Sequence, residues 1–203
     1  VYNGISLGQF RKSVSGGSQI RSELGLAEDK KLIVAVGRLS EPKDYPNLLN
    51  ALARVGNGIS DWHLAVAGGG PLRNNLASLT QKLGLGDRVS FLGVRNDIPD
   101  LLSAADLFVL SSAWEGFPMV VGEAMACECL VVATDCGGVR EFLGDSEFLV
   151  EANNFEALAA AISGALQLTD DQRAAYGRSA RERIQELYSL DATVDKWLAI
   201  YKG

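Results

Sequence analysis

Leu32-Ile33-Val34-Ala35-Val36-Gly37 is an unbroken apolar run of five residues closed by a glycine. A run this short, β-branched and stopped by glycine, reads as a strand buried on both faces. Downstream, Leu48, Leu49, Leu52 and Val55 recur at helical spacing over residues 45–55. The same alternation continues: a strand over 62–67, the turn Gly68-Gly69-Gly70-Pro71, and a helix over 72–83 with Leu72, Leu76, Leu79 and Leu83 on one face. Strands at 89–92, 107–110, 130–133 and 148–150 follow, with helices at 98–105 and 119–126 between them. Strands apolar on both faces and separated by helices predict a doubly wound, Rossmann-like parallel α/β sheet with helices on both sides. In such a sheet ligands bind along the edge formed by the C-terminal ends of the strands. Gly37, the triple glycine and the 111–118 loop all fall on that edge.

After residue 150 the sequence becomes helical. Asn153 with Glu156, and Thr169 with Gln172, have the spacing of capping boxes. Phe155, Leu158, Ala159, Ile162 and Leu166 form one apolar stripe, and Val194, Trp197, Leu198 and Tyr201 another, both expected to be core or domain-contact faces.

The chain has 203 residues, 47% apolar and 22% charged, which suits one domain with a sizeable core and excludes wholesale disorder. Its net charge of -6 disfavours nucleic acid and anionic lipid as partners at long range. No apolar run approaches the roughly 20 residues that span a bilayer, and Val1-Tyr2-Asn3-Gly4-Ile5 lacks the pattern of a signal peptide, so a cytoplasmic location is expected. Cys127, Cys129 and Cys136 are odd in number and lie in or beside apolar segments, which predicts packing rather than disulfides. A zinc site would need a fourth ligand, and the single histidine, His63, sits inside an apolar run, so no metal site is expected.

Three segments can carry chemistry. Arg38 and Lys43 lie on the loop after the first strand, where two cations can clamp a diphosphate or simply face solvent. Gly70, in the triple glycine, either lets backbone approach a ligand or only makes a tight turn. The most specific segment is Trp114-Glu115-Gly116-Phe117-Pro118-Met119-Val120-Val121-Gly122-Glu123. It leaves a strand and enters a helix near Met119, so the first N–H groups of that helix can meet an anion. Glu115 and Glu123 can accept from vicinal hydroxyls of two sugar rings. They could instead form the acid/base pair of a glycoside hydrolase, with carboxyl groups about 5 to 5.5 Å or about 6.5 to 9.5 Å apart, but such a pair does not call for Arg38, Lys43 and a helix end.

Taken in order, the chain resembles the C-terminal, donor-binding domain of GT-B-fold retaining glycosyltransferases of family 4, the glycosyl transferases group 1. The matching pieces are Val1-Tyr2-Asn3-Gly4-Ile5, Gly37-Arg38 with Lys43, Gly68 to Pro71, Phe91-Leu92-Gly93, Ala105-Asp106, Glu115 to Glu123, and Asp135-Cys136-Gly137-Gly138. The resemblance implies one half of a GT-B fold, a single nucleotide-sugar-binding domain over 1–203. Residues 1–10 would be an interdomain strand, and the helices of 170–203 would pack partly on an N-terminal acceptor-binding domain.

It further implies that Arg38 and Lys43 bind the diphosphate of a UDP-, GDP- or ADP-linked sugar and that Glu123 accepts the ribose hydroxyls. Glu115 would hold the donor sugar together with the backbone of Gly116, Phe117 and Pro118. Met119 and Val120 would offer N–H groups to the distal phosphate, and Val94 and Arg95 would sit at the base. Glu115, Arg38 and Lys43 are then the catalytic candidates. No cofactor is implied, and no aspartates stand two positions apart to hold a metal. Membrane contact, if any, would be peripheral and made by the N-terminal domain. A complete protein would be a hexosyl- or other glycosyltransferase in polysaccharide biosynthesis, and the isolated chain inactive. A sugar-nucleotide epimerase of the same build and a non-catalytic nucleotide-binding module are the alternatives.

Overall fold

Each buried strand needs cover on both faces, and the chain supplies it by crossing over with a helix after nearly every strand. The computed structural model describes residues 2–55 and 61–202; Val1 and Gly203, which the sequence reading assigned to the first strand and the last helices, lie outside them. Among the described residues the strands β1 (Lys31–Val36), β2 (Trp62–Ala67), β3 (Val89–Gly93), β4 (Leu107–Leu110), β5 (Val131–Asp135) and β6 (Leu149–Glu151) form one sheet. Its order is β3-β2-β1-β4-β5-β6, and every neighbouring pair is parallel. Strand order reverses between β1 and β4, so a crevice opens outside their C-terminal ends.

Alternation along β1 divides the core. Leu32 and Val34 face one layer, Ile33 and Ala35 the other. The first layer is closed by α1 (Val14–Glu23), α4 (Ile98–Ala104), α5 (Met119–Ala126), α6 (Val139–Leu143) and α8 (Asp170–Leu187). The second is closed by α2 (Tyr45–Val55), α3 (Arg73–Lys82) and α7 (Phe155–Gln167). The last helix, α9 (Leu190–Lys202), follows α8 after a short break.

Several expectations shift on inspection. Thr169 and Gln172 form the capping box expected of α8. The cap of α7, however, is Asn154, whose side chain accepts from the Ala157 N–H at 2.9 Å, while Asn153 takes a left-handed φ of 58°. Two helices had no signal in the periodicity: α1, which contains Gly16 and Gly17, and α6, which is only five residues long. The α7 stripe is core, with Leu158 and Ile162 fully buried. The α9 stripe is not: Val194, Trp197, Leu198 and Tyr201 are exposed, Tyr201 by 80%.

Residues 1–10 were expected to form an interdomain strand. Among the described residues this segment makes a single parallel bridge, Ile5 to Ser189, at the junction of α8 and α9. Ile5 is locked there by Ile5 N–H to Tyr188 O at 2.7 Å and Leu190 N–H to Ile5 O at 3.0 Å.

Cys127 and Cys129 are buried and Cys136 is half-buried; all three are free thiols. Burial pushes the Cys127 thiol up to about 12 and raises that of Cys129 as well. Asp106, at the start of β4, accepts from Leu32 N–H at 2.8 Å and from Arg21 at 3.2 Å, with Lys31 at 3.6 Å and Arg173 at 3.9 Å. It ties β1, α1 and α8 together at the end of the sheet away from the crevice.

Candidate active site

The loops after β1 and β4 meet at the point where strand order reverses. After β1 the chain runs through Gly37 and Arg38 into a 3-10 turn over Glu41–Lys43, ending in Asp44 with a left-handed φ of 42°. After β4 it runs through Ser111 and Ser112 to Glu115. Pro42 O accepts from Ala113 N–H at 2.9 Å and Trp114 N–H at 3.3 Å, which stitches the two loops side by side.

Two side chains the sequence singled out are thereby brought together: Lys43 Nζ lies 2.6 Å from Glu115 Oε1. The same oxygen accepts from Ser112 Oγ at 2.6 Å, and Ser111 Oγ donates to Lys43 O at 2.9 Å. Ser112 is fully buried, and its carbonyl accepts from Thr134 Oγ1, on β5, at 2.6 Å. A line of hydroxyls therefore runs from β5 to Glu115 and fixes its carboxylate. Tyr45 OH donates to Gly37 O at 3.2 Å, and burial followed by the charge of Glu115 raises its pKa. Ser111, Ser112, Thr134 and Tyr45 were not foreseen. A pair of serines directly after a buried strand is a usable signal, because buried hydroxyls must find partners where they land.

The other candidates divide. Arg38 is exposed and makes no ion pair or hydrogen bond with the Lys43 and Glu115 pair among the described residues. Glu123 lies inside α5, half-buried and without an ion pair among the described residues; burial raises its pKa. Met119 and Val120 are the first two residues of α5, so their N–H groups have no acceptor within the helix. Pro118 caps α5 with φ -76°, a value proline holds at no cost.

Gly116 is exposed, and its carbonyl accepts from Gly138 N–H at 2.8 Å. Gly137, with φ 53°, turns beneath Glu115, where a Cβ would run into the Glu115 carbonyl. Phe117 packs among aromatic rings.

Gly70 proves to be needed by the fold itself, since a Cβ there would collide with the Leu39 backbone. Leu39 N–H donates to Gly69 O at 2.9 Å and Leu72 N–H to Leu39 O at 3.1 Å, so this turn is laid directly on the Arg38 loop. Val94 is exposed at the end of β3. The Arg95 guanidinium is spent on Glu23 at 2.6 and 3.0 Å and on Asp97 at 2.8 and 2.5 Å, which leaves its backbone for any ligand. Among the described residues no group of three or more His, Cys, Asp or Glu side chains could hold a metal ion, and no helix is long and apolar enough to cross a membrane.

The arrangement is thus a cation and a carboxylate from two loops, next to a helix start, at a strand-order reversal. The sequence profile described as "Glycosyl transferases group 1" matches residues 18–183. The chain belongs to this family. The similarity of this group 1 chain to its relatives extends over most of its length. It is 30% identical over 188 residues to the N-acetyl-alpha-D-glucosaminyl L-malate synthase of Bacillus anthracis, covering 91% of this chain and 48% of that protein.

To a Campylobacter jejuni N-acetylgalactosaminyltransferase acting on N-acetylgalactosamine-N,N'-diacetylbacillosaminyl-diphospho-undecaprenol it is 33% identical, over 90% of this chain and 48% of that one. Among solved structures, Anabaena Alr3699/HepE in complex with UDP and glucose superposes with a TM-score of 0.88 at 30% identity, over 99% of this chain and 55% of that one. This group 1 chain therefore spans about half the length of the curated relatives it matches.

Proposed function

We propose that this chain is the donor-binding half of a retaining glycosyltransferase, which moves a sugar from a nucleotide diphosphate sugar to an acceptor hydroxyl. The observation that carries the reading is the meeting of Lys43 and Glu115, 2.6 Å apart, at the strand-order reversal. Arg38, Lys43 and the N–H groups of Met119 and Val120 bind the diphosphate and stabilise its charge as it departs, an electrostatic role that needs no rearrangement of the site. Glu123, whose carboxylate has no ion-pair partner among the described residues, takes the ribose hydroxyls. Glu115, with the backbone of Gly116 to Pro118, holds the donor sugar.

The bond from the anomeric carbon to the phosphate oxygen breaks, the acceptor oxygen bonds to the same face, and the acceptor's proton passes to the departing phosphate. The base lies against Val94 and the Arg95 backbone. That the related HepE is seen with UDP and with UDP-glucose supports a uridine donor as the first probe. Half the length of its relatives is outside this chain, and that half supplies the acceptor site. The 203 residues alone then bind donor weakly and turn it over little or not at all.

Calorimetric titration with UDP, GDP, ADP and their glucose conjugates tests the reading. Glu123→Ala and Arg38→Ala weaken binding of the nucleoside diphosphate by roughly 10- to 100-fold, the worth of charge-assisted hydrogen bonds. Glu115→Ala keeps affinity for the free nucleotide and loses it for the nucleotide sugar. Equal affinities across the three folded variants would overturn the assignment.

A further inference from the structure

The loop that carries Glu115 is tied at its start to Pro42 O and at its carboxylate to Ser112 and Lys43, but the stretch that follows Glu115 is held differently. Nothing lies within 4 Å of where a Gly116 Cβ would be, and besides the Gly138 N–H on Gly116 O this stretch is packed through the ring of Phe117. One side of that ring faces Phe142 of α6, with centroids 4.4 Å apart, and beyond it Tyr188 at 6.2 Å. Tyr188 is itself fixed, its hydroxyl donating to Glu141 O at 2.6 Å and its ring 4.9 Å from Phe142. The other face of Phe117 is covered by Tyr2, stacked at 4.2 Å with the planes within 4°.

Tyr2 is 48% exposed, so burial alone does not explain so parallel a stack. Its position follows from the backbone. Ile5, 2% exposed, is locked to the α8–α9 junction through Tyr188 O and Leu190 N–H. Gly4 lies so close to Leu190 that a Cβ would come within 2.8 Å of its Cα. The segment therefore runs past the junction in one course and delivers Tyr2 onto Phe117. On the far side of the loop, Gly138 leaves room for the ring, since a Cβ there would stand 2.5 Å from Phe117 Cδ2, and its N–H holds Gly116 O.

We infer that Tyr2 is a positioning residue: stacked on Phe117, it sets the Glu115–Pro118 loop for the sugar portion of the donor. This rests on the proposed function for the identity of the ligand, but its mechanical part does not. The N-terminal segment and the α8–α9 junction act through one column of rings, Tyr2, Phe117, Phe142 and Tyr188. A shift of either is felt along the Glu115–Pro118 backbone, while Arg38 and Glu123 are not in the column and Lys43 meets it only through the Glu115 carboxylate.

The test compares the wild-type chain with Tyr2→Ala and Tyr2→Phe, by amide hydrogen exchange and by titration with UDP and UDP-glucose. In Tyr2→Ala the Gly138 amide, which bonds Gly116 O, exchanges about tenfold faster, the loss expected for one aromatic stack, while amides of β1 and β4 keep their rates. The same variant binds UDP within twofold of wild type and loses severalfold in affinity for UDP-glucose. Tyr2→Phe, which keeps the stack, restores both. Unchanged exchange at Gly138, or a rise spread evenly over the chain, would overturn the inference. So would equal losses for UDP and UDP-glucose. If the wild-type chain binds neither probe, the uridine donor is wrong and the titrations move to GDP, ADP and their glucose conjugates; exchange at Gly138 still decides the role of Tyr2.

Discussion

Glu123 is a carboxylate half-buried in a helix with no cation beside it among the described residues, and the fold suffers for it. Burial raises its pKa above the ordinary 4.5, so the folded chain holds its proton to higher pH than the unfolded chain does. Between 4.5 and the raised folded value, stability therefore falls as pH rises, and above that value the loss is complete. Glu123→Gln removes the titration. The variant should melt above wild type at pH 7, the gap closing as pH drops below 4.5, and it should bind nucleotide less tightly. Parallel melting curves for the two proteins between pH 4 and 7 would show that Glu123 bears no such burden. Such destabilised groups concentrate at functional sites.

Lys43 and Glu115 were legible in the sequence as types on loops after strands. That they would touch was not, because contact depends on Pro42 O holding Ala113 and Trp114. Ser112 and Thr134 were invisible for a related reason: a hydroxyl's role is set by where it lands, not by its neighbours in the chain.

At the level of elements, the strands could be read because burial on both faces forces continuous apolar runs. What escaped was decided by tertiary contact. Gly16 and Gly17 weaken the helical pattern of α1, yet Gly17 is there because a Cβ would press on the Ser103 and Ala104 backbone of α4 at 3.0 to 3.1 Å. Helix propensity gave way to close packing. Asn154 displaced Asn153 as a cap because the chain turns through a left-handed residue just before α7, a conformation asparagine tolerates.

Ala105-Asp106, one of the pieces that carried the resemblance in the sequence, serves the scaffold, since Asp106 joins β1, α1 and α8. Asp106→Ala would leave the Leu32 N–H without its acceptor and Arg21, Lys31 and Arg173 without their shared carboxylate. We expect a loss of about 3 kcal/mol in urea unfolding, at the low end for a broken buried pair because Asp106 keeps some exposure. Nucleotide affinity should stay within twofold, since the network sits at the opposite end of β4 from Ser111. A matched loss of affinity in a variant that remains folded would mean the two ends of the sheet are coupled.

At the scale of the whole molecule, exposed apolar side chains gather on one helix. Both faces of the sheet are covered, but α9 leaves Val194, Trp197, Leu198, Ile200 and Tyr201 exposed along one short helix. Contiguous apolar surface of this kind marks a contact face or an association hazard in water. The helical spacing of Val194, Trp197, Leu198 and Tyr201 was plain in the sequence; whether they pack inward could not be read, because periodicity gives a face and not its partner. Under the proposed function that face meets the acceptor-binding half.

The 203-residue chain by itself should then associate reversibly as its concentration rises, with added binding of an apolar dye. Val194→Lys with Leu198→Lys should keep it monomeric in sedimentation experiments and shift Tm by no more than a degree or two, since both side chains are about half exposed and contribute little burial here. If the double variant instead melts 5 °C or more lower, on the order of 1 kcal/mol or more in a chain this size, the stripe belongs to this chain's own core, and the face assigned to the other half is not free.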